Sequence, residues 1–159
     1  MKYEWFETIE EAKSALPYRV VDPSPMIETF ADMKLSSWVR WIEPGTDHLA
    51  MLFVGLVPDG HGSHLASNIL IFTQGHGKKC DILLHGAPKS QNGVFPVADM
   101  RDATWGVGVP ENGWDDTRPS WASWPSLDGR ATYHLEARLM PLGKVRELAT
   151  QIAEKEAGL

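Results

Sequence analysis

The sequence predicts an α+β fold, in which a curved, mostly antiparallel sheet of about seven to nine strands carries a short N-terminal helix and a C-terminal helix packed on it. Three observations near the C-terminus indicate this class. Apolar and polar residues alternate strictly from Arg130 to Leu139, Asp128-Gly129 comes just before that run, and an apolar stripe at helical spacing follows Pro141. Strand, turn and helix signals therefore succeed one another along one stretch of chain.

The alternating run has the period of a β-strand. Alternate positions of a strand point to opposite faces of a sheet, so a period of two predicts one side on a core and the other side in water. Asp128 and Gly129 both tolerate positive φ, which is typical of a two-residue hairpin turn. The apolar positions are Ala131, Tyr133, Leu135, Ala137 and Leu139, and the polar positions are Thr132, His134, Glu136 and Arg138.

Both helices begin with recognisable signals. Thr8 and Glu11 form a capping-box pattern, which predicts a short helix over 9–16 that Pro17 ends. Pro141 suits the first position of the second helix, where its missing N–H is not needed. The apolar stripe of this helix consists of Leu142, Val145, Leu148, Ala149 and Ile152.

The middle of the chain reads as short strands joined by polar turns. Residues 18–22 are predicted to be extended, 23–25 to be a rigid, non-regular stretch because of two prolines, and 75–79 to be a tight turn. No repeat or linker divides the chain, so residues 1–159 are predicted to form a single domain. The predicted strands of this region are 35–43, 48–57, 68–74, 80–85, 94–98, 104–109 and 120–124.

Composition narrows the function classes. The formal net charge of −6 gives non-specific nucleic-acid binding no electrostatic support. The one cysteine, Cys80, excludes a disulfide within the chain. The N-terminus is acidic and no apolar run approaches the roughly 18 residues of a membrane helix, so a cytoplasmic protein without a membrane span is expected. No cofactor is predicted.

Two parts of the chain resemble a family of uncharacterised bacterial domains. They are the opening Thr8–Val20 and the series formed by Trp124, Leu127-Asp128-Gly129, Tyr133-His134-Leu135 and a final helix containing residues 148–153. These domains are similar in architecture to the outer-membrane lipoprotein carriers and the periplasmic regulators of envelope-stress sigma factors. The resemblance implies a curved antiparallel sheet with helices over its concave face, and its motifs are packing motifs.

No residue pattern indicates a catalytic centre, so the leading hypothesis is a non-enzymatic binding or accessory module. A sheet covered by a helix can enclose an apolar groove, which would suit a hydrophobic small molecule or a partner protein. Leu49 and Met51 are further groove candidates. Tryptophans interleaved with carboxylates at 105–124 are a second candidate surface, although they also suit packing. The predicted ligand-binding residues are Trp38, Trp41, Phe53, Trp114, Trp121 and Tyr133.

Two alternatives remain open. The first is a metal-dependent enzyme. The two histidines of the 58–67 loop could meet a third histidine, which lies one strand length back from the next turn. The proposed ligands are His61, His64 and His85. The second is a protein-interaction role, namely homodimerisation through an edge strand. Seven tryptophans favour it, because tryptophan is enriched at interfaces.

Overall fold

The computed structural model describes residues 2–31, 33–43, 46–58, 65–77, 91–107, 119–138 and 140–158. Over these ranges the chain forms one antiparallel sheet of eight strands and three α-helices, so the predicted α+β class is confirmed. The strands are β1 (Lys2–Phe6), β2 (Lys34–Glu43), β3 (Thr46–Pro58), β4 (Leu65–Gly77), β5 (Gln91–Val97), β6 (Arg101–Val107), β7 (Ser120–Pro125) and β8 (Ala131–Ala137). The helices are α1 (Ile9–Ala15), α2 (Ser24–Ala31) and α3 (Leu142–Gly158).

Two antiparallel meanders are joined side by side in the sheet. The strand order is β1-β2-β3-β4-β8-β7-β6-β5, so β4 pairs with β8 instead of with the strand that follows it. At this seam Leu70 lies opposite Ala137 and Gln74 lies opposite Tyr133. The seam brings the middle of the chain against its C-terminal third, and β1 and β5 end the strand order.

The main core lies between the sheet and α3. Val145, Leu148, Ala149 and Ile152 of the predicted stripe are all 0% exposed, and so is Leu135 on β8. Burying each Leu or Ile side chain stabilises the fold by about 1.5–3 kcal/mol. We call this side of the sheet the helix face and the opposite side the second face.

The N-terminal region contains one predicted helix and two elements that the sequence reasoning missed. The Thr8 hydroxyl accepts a hydrogen bond from the Glu11 N–H at 3.2 Å, which confirms the cap of α1. The prediction of a non-regular stretch at 23–25 was wrong, because α2 begins at Ser24. Proline is tolerated in the first turn of a helix, where Pro25 lies, so it does not prevent a helix there. Strand β1 was also missed, and the described helices number three instead of two.

The polar side of β8 is only partly in water, so the prediction was wrong for His134 and Glu136, whereas Thr132 and Arg138 are half-buried. His134 is 2% exposed and Glu136 is 0% exposed. Their side chains contact each other, with His134 Nε2 3.4 Å from Glu136 Oε1. Thr73 of β4 and Ser123 of β7 flank His134 on the two neighbouring strands and are also buried. Alternation identifies the residues that share a face, but it does not determine whether that face is covered.

The predicted turn at 75–79 was also misplaced. Gly75 and His76 continue β4, where they pair with His48 and Asp47 of β3. A Cβ atom on Gly75 would overlap the Asp47 carbonyl oxygen and lie 2.7 Å from the His48 Cα, so glycine permits this close approach of β3 and β4. The predicted strand at 80–85 falls outside the described residues. The helices that the structure describes all fall short of the length and hydrophobicity that a membrane-spanning helix needs.

Candidate ligand cleft

A half-open cleft of about 210 Å³ lies on the helix face, at the end of the sheet where β8 begins. Three parts of the chain surround it: the segment between α1 and α2, the turn that joins β7 to β8, and the C-terminal end of α3. The lining residues are Tyr18, Arg19, His76, Ser126, Leu127, Asp128, Ala131, Tyr133, Glu156 and Ala157.

Tyr133 forms the inner wall of the cleft, and its ring is held by two aromatic neighbours. The Phe72 ring stacks on it with centroids 6.2 Å apart and an interplanar angle of 9°, and the Trp124 ring lies at 5.6 Å. The residue is 4% exposed. Burial and, to a smaller extent, the negative charge of Glu156 raise the pKa of Tyr133 to about 12, and the charge of Arg19 partly opposes this rise. The hydroxyl is therefore protonated at neutral pH.

Tyr18 and His76 form a second aromatic wall. Their ring centroids are 4.7 Å apart at an interplanar angle of 49°. The Tyr18 hydroxyl donates to the Gln74 carbonyl oxygen at 3.4 Å, and burial raises the pKa of Tyr18 above its usual range. The Gln74 side chain in turn bonds both the N–H and the carbonyl of Val21, at 2.8 and 2.7 Å. The segment that carries Tyr18 is thus attached to β4 by buried hydrogen bonds.

Charged groups hold α3 against the cleft. Arg19 donates to the carbonyl oxygen of Glu156 at 3.1 Å, near the end of α3. The Glu156 carboxylate forms an ion pair with Arg101, and the two side chains are 6% and 9% exposed. Arg101 also donates to the carbonyl oxygens of Ala98 and Pro125, at 2.9 and 2.8 Å. One guanidinium therefore connects α3 to the start of β6 and to the end of β7.

The turn at the mouth of the cleft is organised by Asp128. Its Oδ1 atom accepts from the Arg130 N–H at 2.9 Å and from the Ser126 hydroxyl at 2.7 Å. These two hydrogen bonds hold the pKa of Asp128 below its usual value. The predicted two-residue hairpin was wrong, because β7 ends at Pro125 and β8 begins at Ala131, so the connection has the five residues 126–130. Gly129 has a φ of 74°, whereas Asp128 does not have a positive φ. Leu127 is 51% exposed at the rim.

The structure brings one of the predicted ligand-binding residues to the cleft, namely Tyr133. Phe53 is 0% exposed in the core, together with Leu49 and Met51. Trp121 is 4% exposed and lies opposite Glu136, on the second face.

The remaining predicted site residues have side chains that the structure does not describe. Trp38 and Trp41 lie in β2, where they pair with Met51 and His48, and their side chains are outside the described set. Trp114, His61, His64 and His85 are outside the described residues.

Sequence reasoning missed most of the cleft. It used Asp128 as a turn signal, and it placed His76 in a turn without a binding role. No signal linked Tyr18, Arg19 and Glu156, because they come from opposite ends of the chain and meet only through the β4–β8 seam.

The described residues include no group of three or more histidine, cysteine, aspartate or glutamate side chains that could hold a metal ion. The predicted histidine site lies elsewhere in the chain and stays a prediction. One bound divalent ion per chain in elemental analysis, after purification without chelator, would support it.

The fold and the cleft together describe an open antiparallel sheet that holds a small polar-and-aromatic cleft at the end of its terminal helix. In three comparisons, no protein family, curated protein or solved structure matched the chain. The resemblance to lipoprotein carriers and sigma-factor regulators therefore stays a prediction.

Proposed function

We propose that this protein is a non-enzymatic binding module for a small, largely apolar molecule that carries one or two polar groups. The observation that supports it is the hydroxyl of Tyr133. The ring packs against Phe72 and Trp124, which also contact each other, and its hydroxyl forms no hydrogen bond to any described residue. This hydroxyl is not among the buried polar atoms that lack a partner, so it is accessible from the cleft that Tyr133 lines. A donor held rigidly at a cleft wall is suited to bond a ligand.

The lining indicates the chemistry of the ligand. The aromatic rings of Tyr18 and Tyr133 and the small side chains of Ala131 and Ala157 offer apolar contact. Arg19 and Asp128 supply charge toward the rim. This distribution, apolar walls with a few placed polar groups, is typical of small-molecule sites.

The size of the cleft limits the ligand. Its volume of about 210 Å³ is below the roughly 300–1,000 Å³ of pockets that hold drug-sized molecules. A single planar ring with a hydroxyl, amide or carboxylate substituent is therefore the expected type of ligand.

The chemistry of the hydroxyl groups supports binding over catalysis. A tyrosine with a pKa near 12 is a neutral donor at pH 7 and does not act as a base. The Ser126 hydroxyl donates to Asp128, and the Ala131 N–H donates to Ser126, so this hydroxyl already has partners within the turn. These groups can orient a ligand, whereas a nucleophile needs an adjacent base to activate it.

A fragment screen on isotope-labelled full-length protein tests the proposal. Single-ring fragments with a polar substituent should shift the amide resonances of the cleft residues. Tyr133→Phe should weaken binding of the best fragment by about 5- to 20-fold, as expected for the loss of one hydrogen bond in a site that excludes water.

The matched control is Tyr3→Phe, which removes the same hydroxyl from a tyrosine that is 55% exposed on β1. It should leave fragment affinity unchanged. Fragments that shift other regions, or a Tyr133→Phe variant that binds as tightly as the parent, would contradict the proposal.

A further inference from the structure

The two edge strands of the sheet differ in their capacity to pair with another strand. The edge strand β5 contains Pro96, which has no backbone N–H to donate, and Gly93, which weakens a strand. The other edge strand, β1, reads Lys-Tyr-Glu-Trp-Phe and contains neither residue. Proline on an edge is one of the devices by which proteins prevent edge pairing. By this criterion β5 is protected, whereas β1, the other edge among the described strands, lacks proline and glycine.

Strand β1 also exposes large aromatic side chains. Trp5 is 71% exposed and Tyr3 is 55% exposed. Their register through β2 and β3 places both on the second face of the sheet, opposite α3. Exposed tryptophan and tyrosine are characteristic of interfaces, where they bury much area while losing little conformational entropy.

The sequence of β1 is complementary to itself. In an antiparallel pair of two β1 strands with the two-fold axis at Tyr3, each Lys2 lies directly opposite Glu4 of the partner subunit. Trp5 then lies diagonal to Tyr3 of the partner subunit, within reach of an aromatic side chain. Opposite charges that face each other directly stabilise a strand pair, and the symmetry supplies each favourable contact twice.

The charge of Glu4 is already partly balanced within the chain. Arg40 lies 3.3 Å from one of its carboxylate oxygens, and Lys2 lies 3.3 Å from the other. Two Glu4 side chains close to a two-fold axis therefore do not form an uncompensated pair of like charges.

We propose that β1 pairs antiparallel with β1 of a second copy of this chain, which joins two eight-stranded sheets into one continuous sheet. This inference does not depend on the cleft, which lies on the opposite face and at the β4–β8 seam. The occupant is a second copy because charge and aromatic positions match under two-fold symmetry.

Sedimentation velocity of the full chain over a wide concentration range tests the proposal. The parent protein should show a reversible monomer–dimer equilibrium. Trp5→Lys should raise the dimer dissociation constant at least about tenfold, because it removes two aromatic contacts and places two extra cations on the new edge. The matched control is Val94→Lys on β5, a residue that is 60% exposed and lies on the same face. It should leave the constant unchanged.

A charge swap at Lys2 tests the register. Lys2→Glu places like charges opposite each other across the two-fold axis and should weaken the dimer, whereas Lys2→Arg keeps the positive charge and should leave the dissociation constant close to that of the parent. Glu4 is left unchanged because it also pairs with Arg40 within the chain. A parent that stays monomeric, equal effects of Trp5→Lys and Val94→Lys, or equal dissociation constants for Lys2→Glu and Lys2→Arg would overturn the proposal; a monomer that captures an extended peptide on β1 would also overturn it and assign the edge to another protein.

Discussion

Glu156→Gln should destabilise the protein substantially, although the change replaces one oxygen by an amide group. Glu156 forms the counter-charge of Arg101 at the wall of the cleft, with the two side chains 6% and 9% exposed. Glutamine keeps a carbonyl oxygen that can accept from Arg101, so the substitution removes the negative charge and little of the packing. The guanidinium then stays buried with carbonyl acceptors only, namely those of Ala98, Pro125 and Ala153.

The expected magnitude follows from this arrangement. Removing one partner of a fully buried ion pair costs about 3–5 kcal/mol. The three remaining carbonyl acceptors and the retained amide oxygen compensate in part, so we expect the free energy of unfolding to fall by about 2–3 kcal/mol. A loss of that size is a large fraction of the 5–15 kcal/mol that is typical of a native domain.

Urea unfolding followed by tryptophan fluorescence measures the effect. The control is Glu154→Gln, which makes the same chemical change at an exposed position of α3 two residues earlier. We expect the control to change stability by less than about 0.5 kcal/mol. If Glu156→Gln and Glu154→Gln are equally stable, the ion pair contributes nothing and the account of the cleft wall is wrong.

Three further predictions concern stability. Gly75→Ala should cost about 3 kcal/mol or more in urea unfolding, because the added methyl overlaps the Asp47 backbone. Thr8→Ala should cost about 1 kcal/mol, through loss of the hydroxyl that caps α1. Burial raises the pKa of Tyr133 from 10.0 to about 12, so the stabilisation from its protonated form is complete below pH 10 and is lost as the pH rises toward 12. With solvent screening at the cleft, Tyr133 should account for about 1–2 kcal/mol of the loss of stability in this window. The loss should be smaller by that amount in Tyr133→Phe, where Tyr18, whose pKa is also raised by burial, still contributes.

Each of these three stability predictions has a control within the chain. Gly143→Ala on α3 meets no atom within 4 Å and should be neutral or stabilising, so an equal loss at Gly75 and Gly143 would refute the steric argument. Ser14→Ala at an exposed position of α1 should be close to neutral, which separates the cap from general helix effects. A pH profile that is the same for the parent and Tyr133→Phe would show that Tyr133 does not titrate in this window.

Local signals predicted the local structure well. The capping pattern at Thr8 and Glu11 predicted a helix that is found at 9–15, and the stripe after Pro141 predicted α3 with its buried face. The Asp128-Gly129 pair located the turn between β7 and β8 but not its length. Each of these depends on interactions between residues a few positions apart, so the sequence contains the whole signal. The reading of Pro25 failed because a proline in the first turn leaves a helix intact and gives the same local pattern as a break.

By itself, then, the sequence determined the α+β class, which residues of β8 share a face, and the positions of α1 and α3. The tertiary structure decided that β4 pairs with β8, that His134 and Glu136 are buried on the second face, and that Tyr18, Arg19 and Glu156 meet Tyr133 at one cleft. These features depend on contacts between residues that are far apart along the chain. The period of the apolar residues and the composition do not encode which strands become neighbours, since many different strand pairings would bury the same apolar faces.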